Sequence, residues 1–226
     1  DVIIAAMGEN EYLVGEGRSR TSLDLPGNQI DLLRALYQTG KPIAMVLING
    51  RPLSVNWSHK HISAIVEGMF PGPYGGQAIG EVIFGDYNPG GKLAFTVPKT
   101  AGQIRYNFPY KPGSQNPPAM WGSRMGEKPS MVSDALYPFG HGLSYTTFQY
   151  DEMNISPKSQ TMDGNITIRF NVKNTGTRPG EEIVQLYLSD KYSSITTYVS
   201  VLRRFKRIHL KPGETKRLHF TLAPKD

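Results

Sequence analysis

The hydrophobic period of this chain changes once, near Phe148, and that change restricts it to two architectures in series. Before Phe148, apolar residues come in short unbroken runs. One occupies residues 1–8, as Asp1-Val2-Ile3-Ile4-Ala5-Ala6-Met7-Gly8, and a second runs from Ile43 to Ile48. Such runs are expected of strands buried on both faces in a parallel sheet. Between them, over residues 27–38, Ile30, Leu33, Leu36 and Tyr37 share one helical face, and Gly40 with Pro42 ends the helix. A third strand is expected over Ile62–Val66 and a short helix over Gln77–Phe84. Turns fall at Asn49-Gly50-Arg51-Pro52, at Pro71–Gly76 and at Gly85–Gly91. Alternating strands and helices predict an α/β domain with a mainly parallel sheet.

After Phe148 the period is two. Ile166, Ile168, Phe170 and Val172 alternate with polar residues, as do Leu218, Phe220 and Leu222, and Val184, Leu186 and Leu188 share one face. Asn174-Thr175-Gly176 and Lys211-Pro212-Gly213-Glu214 are turn signals between them. This predicts a β-sandwich. Such a fold uses about seven strands, whereas four or five are readable before Asp226, so an incomplete sandwich is expected. The expected division is an α/β domain at 1–99, an extended connector rich in Pro, Gly, Asn and Ser at 100–148, and the sandwich at 149–226.

The 226 residues contain no cysteine, which excludes disulfides, thiolate metal sites and a cysteine nucleophile. No apolar run approaches the roughly 20 residues of a bilayer span, so no membrane partner is expected. The first residues have neither the basic flank nor the cleavage site of a signal peptide. A start in mid-strand is read as a truncation. The net charge of +6 is uneven: residues 1–150 carry 12 Lys/Arg against 11 Asp/Glu, and residues 151–226 carry 13 against 8. The basic residues of the second part mostly alternate with apolar ones along strands, the pattern of a solvated sheet face. Arg203-Arg204-Phe205-Lys206-Arg207 has no aromatic stacking motif beside it, so no nucleic acid is expected.

In parallel α/β sheets the chemistry sits in loops beyond the carboxyl ends of the strands. The loop at 9–26 holds that position, and within it Gly15-Glu16-Gly17-Arg18-Ser19-Arg20 stands out. Flanking glycines let the backbone around a carboxylate approach a ligand closely, and Arg18 or Arg20 is placed to orient it. A general acid needs a raised pKa, which burial against a substrate supplies. Read on its own, the same cluster also fits a solvated loop. Other chemistries lack their patterns. No Gly-x-Ser-x-Gly elbow is present, Gly90-Gly91-Lys92 lacks phosphate-loop spacing, and His59 and His61 have no third ligand nearby. No metal and no cofactor is expected. Trp57, Trp121, Phe70 and Tyr74 are candidates for stacking on sugar rings.

Several segments together resemble the second domain of the family 3 β-glucosidases. They are Gly8-Glu9-Asn10-Glu11, Gly15–Thr21, Leu23–Gln29, Thr39–Pro42, Val46–Leu53, Phe70-Pro71-Gly72, Phe84–Leu93 and Leu136–Phe148, where His141 stands in place of a frequent Tyr. Asn171–Gly176 and Leu210–Glu214 resemble that family's fibronectin type III-like domain. The resemblance implies a partial α/β sandwich domain, lacking its first strands, followed by an incomplete fibronectin type III-like β-sandwich.

It also implies a retaining β-glycosidase that removes terminal non-reducing β-D-glucosyl residues, using two carboxylates about 5–5.5 Å apart. The nucleophilic Asp would lie on an N-terminal (β/α)₈ barrel of the same protein, outside this chain. Glu16 matches the acid/base, with Glu9 and Glu11 as competitors, and Arg18, Arg20 and Glu11 are candidate substrate-binding residues. The partners implied are a β-linked oligosaccharide or glycoside and the barrel; the location implied is periplasmic or secreted; and the chain alone is expected to be inactive. The alternative is a non-catalytic carbohydrate-binding or structural module.

Overall fold

The structure is a computed structural model that describes residues 1–103, 105–112, 132, 134–159, 161 and 163–226. By its internal contacts the chain forms two compact units. One comprises residues 1–87, 95–108 and 112–139, and the other residues 88–94, 109–111 and 140–226.

The first unit is built on three parallel strands in the order β1 (Ile3–Gly8), β2 (Ile43–Ile48), β3 (Ala64–Glu67). Gly8 pairs with Ile48 and Leu47 with Glu67, so the three carboxyl ends lie side by side. Helix α1 (Gln29–Tyr37) crosses from β1 to β2, as the sequence period predicts, and buries Leu33 completely. Leu33, Ala5, Met7, Ile43, Met45, Leu47, Leu53, Val55 and Ile62 form the core, with Leu36 and Trp57 packed against it. A fully buried aliphatic side chain of this kind contributes about 1.5–3 kcal/mol.

β1 departs from the expectation of burial on both faces. Ala5 and Met7 are buried, but Ile4 is 48% exposed, because β1 is an edge strand here and α1 covers one face. The third strand starts two residues later than its apolar run suggests. A six-residue helix, α2 (Asn56–His61), precedes it, which the sequence does not announce. Its polar residues show no apolar stripe, and its one fully buried side chain is Ser58. Helix α3 (Gly75–Phe84) ends at Gly85, which takes the left-handed conformation of a helix stop. Beyond it, Val97 pairs with Tyr137 in an isolated bridge and Ser54 donates to the Pro98 carbonyl at 2.9 Å.

Among the described residues, the second unit is a sandwich of five strands. β4 (Phe148–Ser156), β5 (Ile166–Asn174) and β8 (Thr215–Leu222) form one antiparallel sheet, and β6 (Gly180–Leu188) pairs with β7 (Val201–Leu210). Ile168, Phe170, Val172, Leu218, Phe220 and Leu222 from the first sheet meet Val184, Ile208 and Leu210 from the second. Leu188 leaves the predicted alternation and is 36% exposed, because the register shifts between Leu186 and Tyr187. Asn174 is fully buried and closes the turn after β5. Its Oδ1 accepts from Thr146 Oγ1 (2.6 Å) and the Gly176 amide (3.0 Å), and its Nδ2 donates to the Arg178 and Leu210 carbonyls. Residues 88–94 belong to this unit. Asn88 Oδ1 accepts from Ser144 Oγ and the Tyr145 amide, and Lys92 Nζ donates to the Gly142 carbonyl. A Cβ on Gly142 would lie 2.0 Å from the Gly91 carbonyl oxygen, so these two segments approach backbone to backbone.

Candidate functional site

The parallel sheet sends three loops from one edge, after β1, β2 and β3. Gly8 ends β1 with φ +133, and a Cβ there would lie 1.9 Å from the Ile48 carbonyl oxygen, so the chain can leave the sheet this way only at glycine. Gln29, the first residue of α1, holds that exit. Its Oε1 accepts from the Gly8 amide and its Nε2 donates to the Gly8 carbonyl, both at 2.8 Å. Residues 9–28 are thereby closed into a loop with both stems anchored. A cleft of about 650 Å³ opens beside these stems, lined by Gly8, Glu9, Asn10, Leu13 and Gln29 among others.

The three acidic candidates of this loop receive different environments. Glu9, the residue after β1, has a side chain with no exposed surface. Arg20 Nη1 reaches its Oε1 at 2.8 Å, Arg51 Nε lies 3.0 Å from Oε1, and the Gly50 amide donates to Oε2 at 3.3 Å. Two guanidinium groups and an amide therefore surround one buried carboxylate, so its charge is compensated on every side the protein offers. Glu11 and Glu16 are exposed. Glu16 sits at the loop tip between Gly15 (φ +118) and Gly17 (φ +71), in a turn closed by the Arg18 amide on the Gly15 carbonyl at 3.2 Å. The structure brings Arg20 to Glu9 and not to Glu16, and its Nη2 also donates to the Asp24 carbonyl at 3.1 Å. The Arg18 side chain is exposed, and its carbonyl accepts from Arg51 at 3.0 Å.

Arg51, which in the sequence is one residue of the Asn49–Pro52 turn, joins the site. Its Nη2 donates to the Leu13 carbonyl at 2.6 Å as well as to Arg18, while Asn49 Nδ2 holds the Arg51 carbonyl at 2.7 Å. The signal available was a cation in a Gly-Arg-Pro turn directly after a buried strand. The β3 loop joins the same edge. A Cβ on Gly50 would be 2.8 Å from Val14 and 2.9 Å from the Phe70 ring, so this glycine lets all three loops meet. Phe70, Tyr74 and Tyr12 expose most of their rings. Trp57 instead stacks on His61 at 4.5 Å with Tyr37 against its edge, and His59 Nδ1 lies 3.0 Å from the Tyr137 hydroxyl. Trp121 lies outside the described residues.

Glu67 ends β3 at this edge, and burial pushes its carboxyl above the ordinary carboxylate range, partly opposed by the Met69 amide and the Asn49 side chain. With the folded value above the unfolded one, the native state binds the extra proton. Stability is therefore fully present below the unfolded pKa and declines as pH rises toward the folded one. Glu67→Gln is expected to flatten that decline and stabilise the first unit at neutral pH; urea midpoints across about pH 4–8 measure it.

Comparison with known proteins places this geometry in a family. Residues 1–145 match the profile of the Glycosyl hydrolase family 3 C-terminal domain, and residues 182–226 that of the Fibronectin type III-like domain. A beta-xylosidase of Formosa agariphila is 42% identical over 99% of this chain, and a periplasmic beta-glucosidase of Salmonella typhimurium 40% identical over 98%. The chain covers 30% and 29% of those two proteins. A crystal structure of a beta-glucosidase from Listeria innocua in complex with glucose superposes with a TM-score of 0.91 at 31% identity, over 100% of this chain and 31% of that one. The chain thus spans about 30% of the length of the relatives it matches, and it belongs to the glycosyl hydrolase family 3 C-terminal domain family, with a fibronectin type III-like domain following.

Proposed function

We propose that this chain is the C-terminal part of a retaining β-glycosidase that acts on terminal β-D-glucosyl residues, and that Glu16 is its acid/base. The nucleophilic carboxylate comes from an N-terminal (β/α)₈ barrel of the same protein. Glu16 protonates the departing glycosidic oxygen and then takes a proton from the water that releases the sugar. The observation that carries this reading is the placement of Glu16: an exposed carboxylate at the tip of a loop whose stems are anchored to the sheet edge. Glu9 is occupied by Arg20 and Arg51, which leaves Glu16 and Glu11 facing solvent. Arg18, with its side chain exposed, and Glu11 are the substrate-contact candidates. Arg20, committed to Glu9, serves the substrate only through the loop it braces. Because both a beta-xylosidase and a beta-glucosidase stand among the relatives, xylosides are the competing substrate. The periplasm or the extracellular space is the location that fits, by analogy with the periplasmic relative.

The test is turnover of aryl β-glucoside and aryl β-xyloside by the full-length protein and by this chain alone. The full-length protein is expected to prefer the glucoside, and the isolated chain to turn over neither. Hydrolysis by the isolated chain would overturn the two-carboxylate assignment, and a clear xyloside preference would move the substrate class.

A further inference from the structure

The turn carrying Glu16 has little to hold it from within. Gly15 and Gly17 have the largest backbone freedom of any residue type, and one backbone bond, Arg18 to Gly15, closes the turn. A general acid must nevertheless meet the leaving oxygen within hydrogen-bond reach, and misplacement by about 1 Å can cost about 10²-fold in rate. Rigidity therefore has to come from outside the turn.

We propose that Arg51 is a positioning residue for Glu16, an inference that rests on the acid/base reading above. Arg51 Nη2 binds the carbonyls of Leu13 (2.6 Å) and Arg18 (3.0 Å), one on each side of Glu16. The Nε of the same guanidinium is held by Glu9 at 3.0 Å. Glu9 follows β1 and Arg51 follows β2, so the clamp is built on the paired strand ends Gly8 and Ile48. One planar cation thus ties both stems of the Glu16 turn to two adjacent strands. A lysine cannot do this: its single nitrogen lacks the fork that reaches a carboxylate and two carbonyls at once. Arg51 makes no hydrogen bond with Glu16 itself, so its effect passes through the backbone on either side.

The experiment compares wild type, Arg51→Lys and Glu16→Ala in the full-length protein, on aryl β-glucosides with good and poor leaving groups. Only poor leaving groups need the proton. Arg51→Lys is expected to lower the ratio of poor-to-good kcat/KM, which reports the first, leaving-group step alone, by about 10-fold or more. That ratio is independent of the fraction of enzyme folded, so a merely structural role would leave it at the wild-type value, and that result would overturn the proposal. Arg51→Ala, if it folds, is expected to lower the ratio further. If Glu16→Ala itself leaves the ratio unchanged, the acid/base reading fails first and the positioning role falls with it. If Glu16→Ala lowers the ratio and Arg51→Lys does not, the positioning role alone is wrong.

Discussion

Replacing Glu16 with alanine in the full-length protein is expected to reduce turnover of glycosides with poor leaving groups by about 10²–10⁴-fold. A good leaving group departs without a proton, so the first step with such a substrate is expected to stay near the wild-type rate. The second step still lacks its base, and the covalent intermediate accumulates. Added azide, which needs no base, is expected to restore turnover of the good leaving group and yield a glycosyl azide. The readouts are kcat and KM on the two substrates with and without azide, and identification of the product. Glu11→Ala, measured in parallel, is expected to show neither the leaving-group dependence nor the rescue. If the two variants exchange these behaviours, the acid/base is Glu11 and the tip glycines serve another purpose. Both carboxylates are exposed in the structure, so exposure alone does not choose between them. Glu16 is set apart from Glu11 by the paired glycines around it and by the bracing of its two stems.

The largest effect on stability is expected from Glu9→Ala. Its carboxylate has no exposed surface, and the side chains of Arg20 and Arg51 beside it are 17% and 21% exposed. Removing one partner of a buried ion pair costs about 3–5 kcal/mol, since it leaves uncompensated charge behind. Here two cations lose their partner at once, and both retain some solvent, so about 3 kcal/mol is the expected loss. Glu9→Gln keeps the shape and one acceptor, and is expected to cost about 1.5–3 kcal/mol. The loss should be confined to the first unit. Urea unfolding followed by amide exchange in β2 (Ile43–Ile48) reads it there, while exchange in β5 and β8 of the sandwich is expected to stay as in wild type. An unchanged β2 midpoint in Glu9→Ala would mean that the pairing with Arg20 and Arg51 contributes nothing net to folding.

Of the two residues, Glu9 is expected to carry the larger stability cost. Glu9 lies at the base of the loop and acts on folding; Glu16 lies at its tip, where loss of an exposed side chain costs little stability. The exposed aromatic rings of Tyr12, Phe70 and Tyr74 stand on two of the three loops, those after β1 and β3.

Local patterns in the chain were enough to determine the class of each half. Unbroken apolar runs, one helical face around Leu33 and the turn residues at Asn49–Pro52 announce a parallel sheet with helices, and alternation around Phe170 and Phe220 announces a sandwich. These are readable because strand and helix periods are properties of a few neighbouring residues. The prominence of Glu16 was readable for the same reason, since its flanking glycines are adjacent to it. The partners of Glu9 were not. Arg20 is 11 positions away and Arg51 is 42, and only the parallel pairing of β1 with β2 brings them to one carboxylate. The same holds for α2, whose polar residues gain their place from packing around Ser58 and Trp57 rather than from a period of their own. Sequence alone offered Arg20 as a companion for Glu16 because the two are near in the chain. The tertiary structure gave Arg20 to Glu9, since a buried carboxylate must be paired within the protein whereas an exposed one is already paired by water.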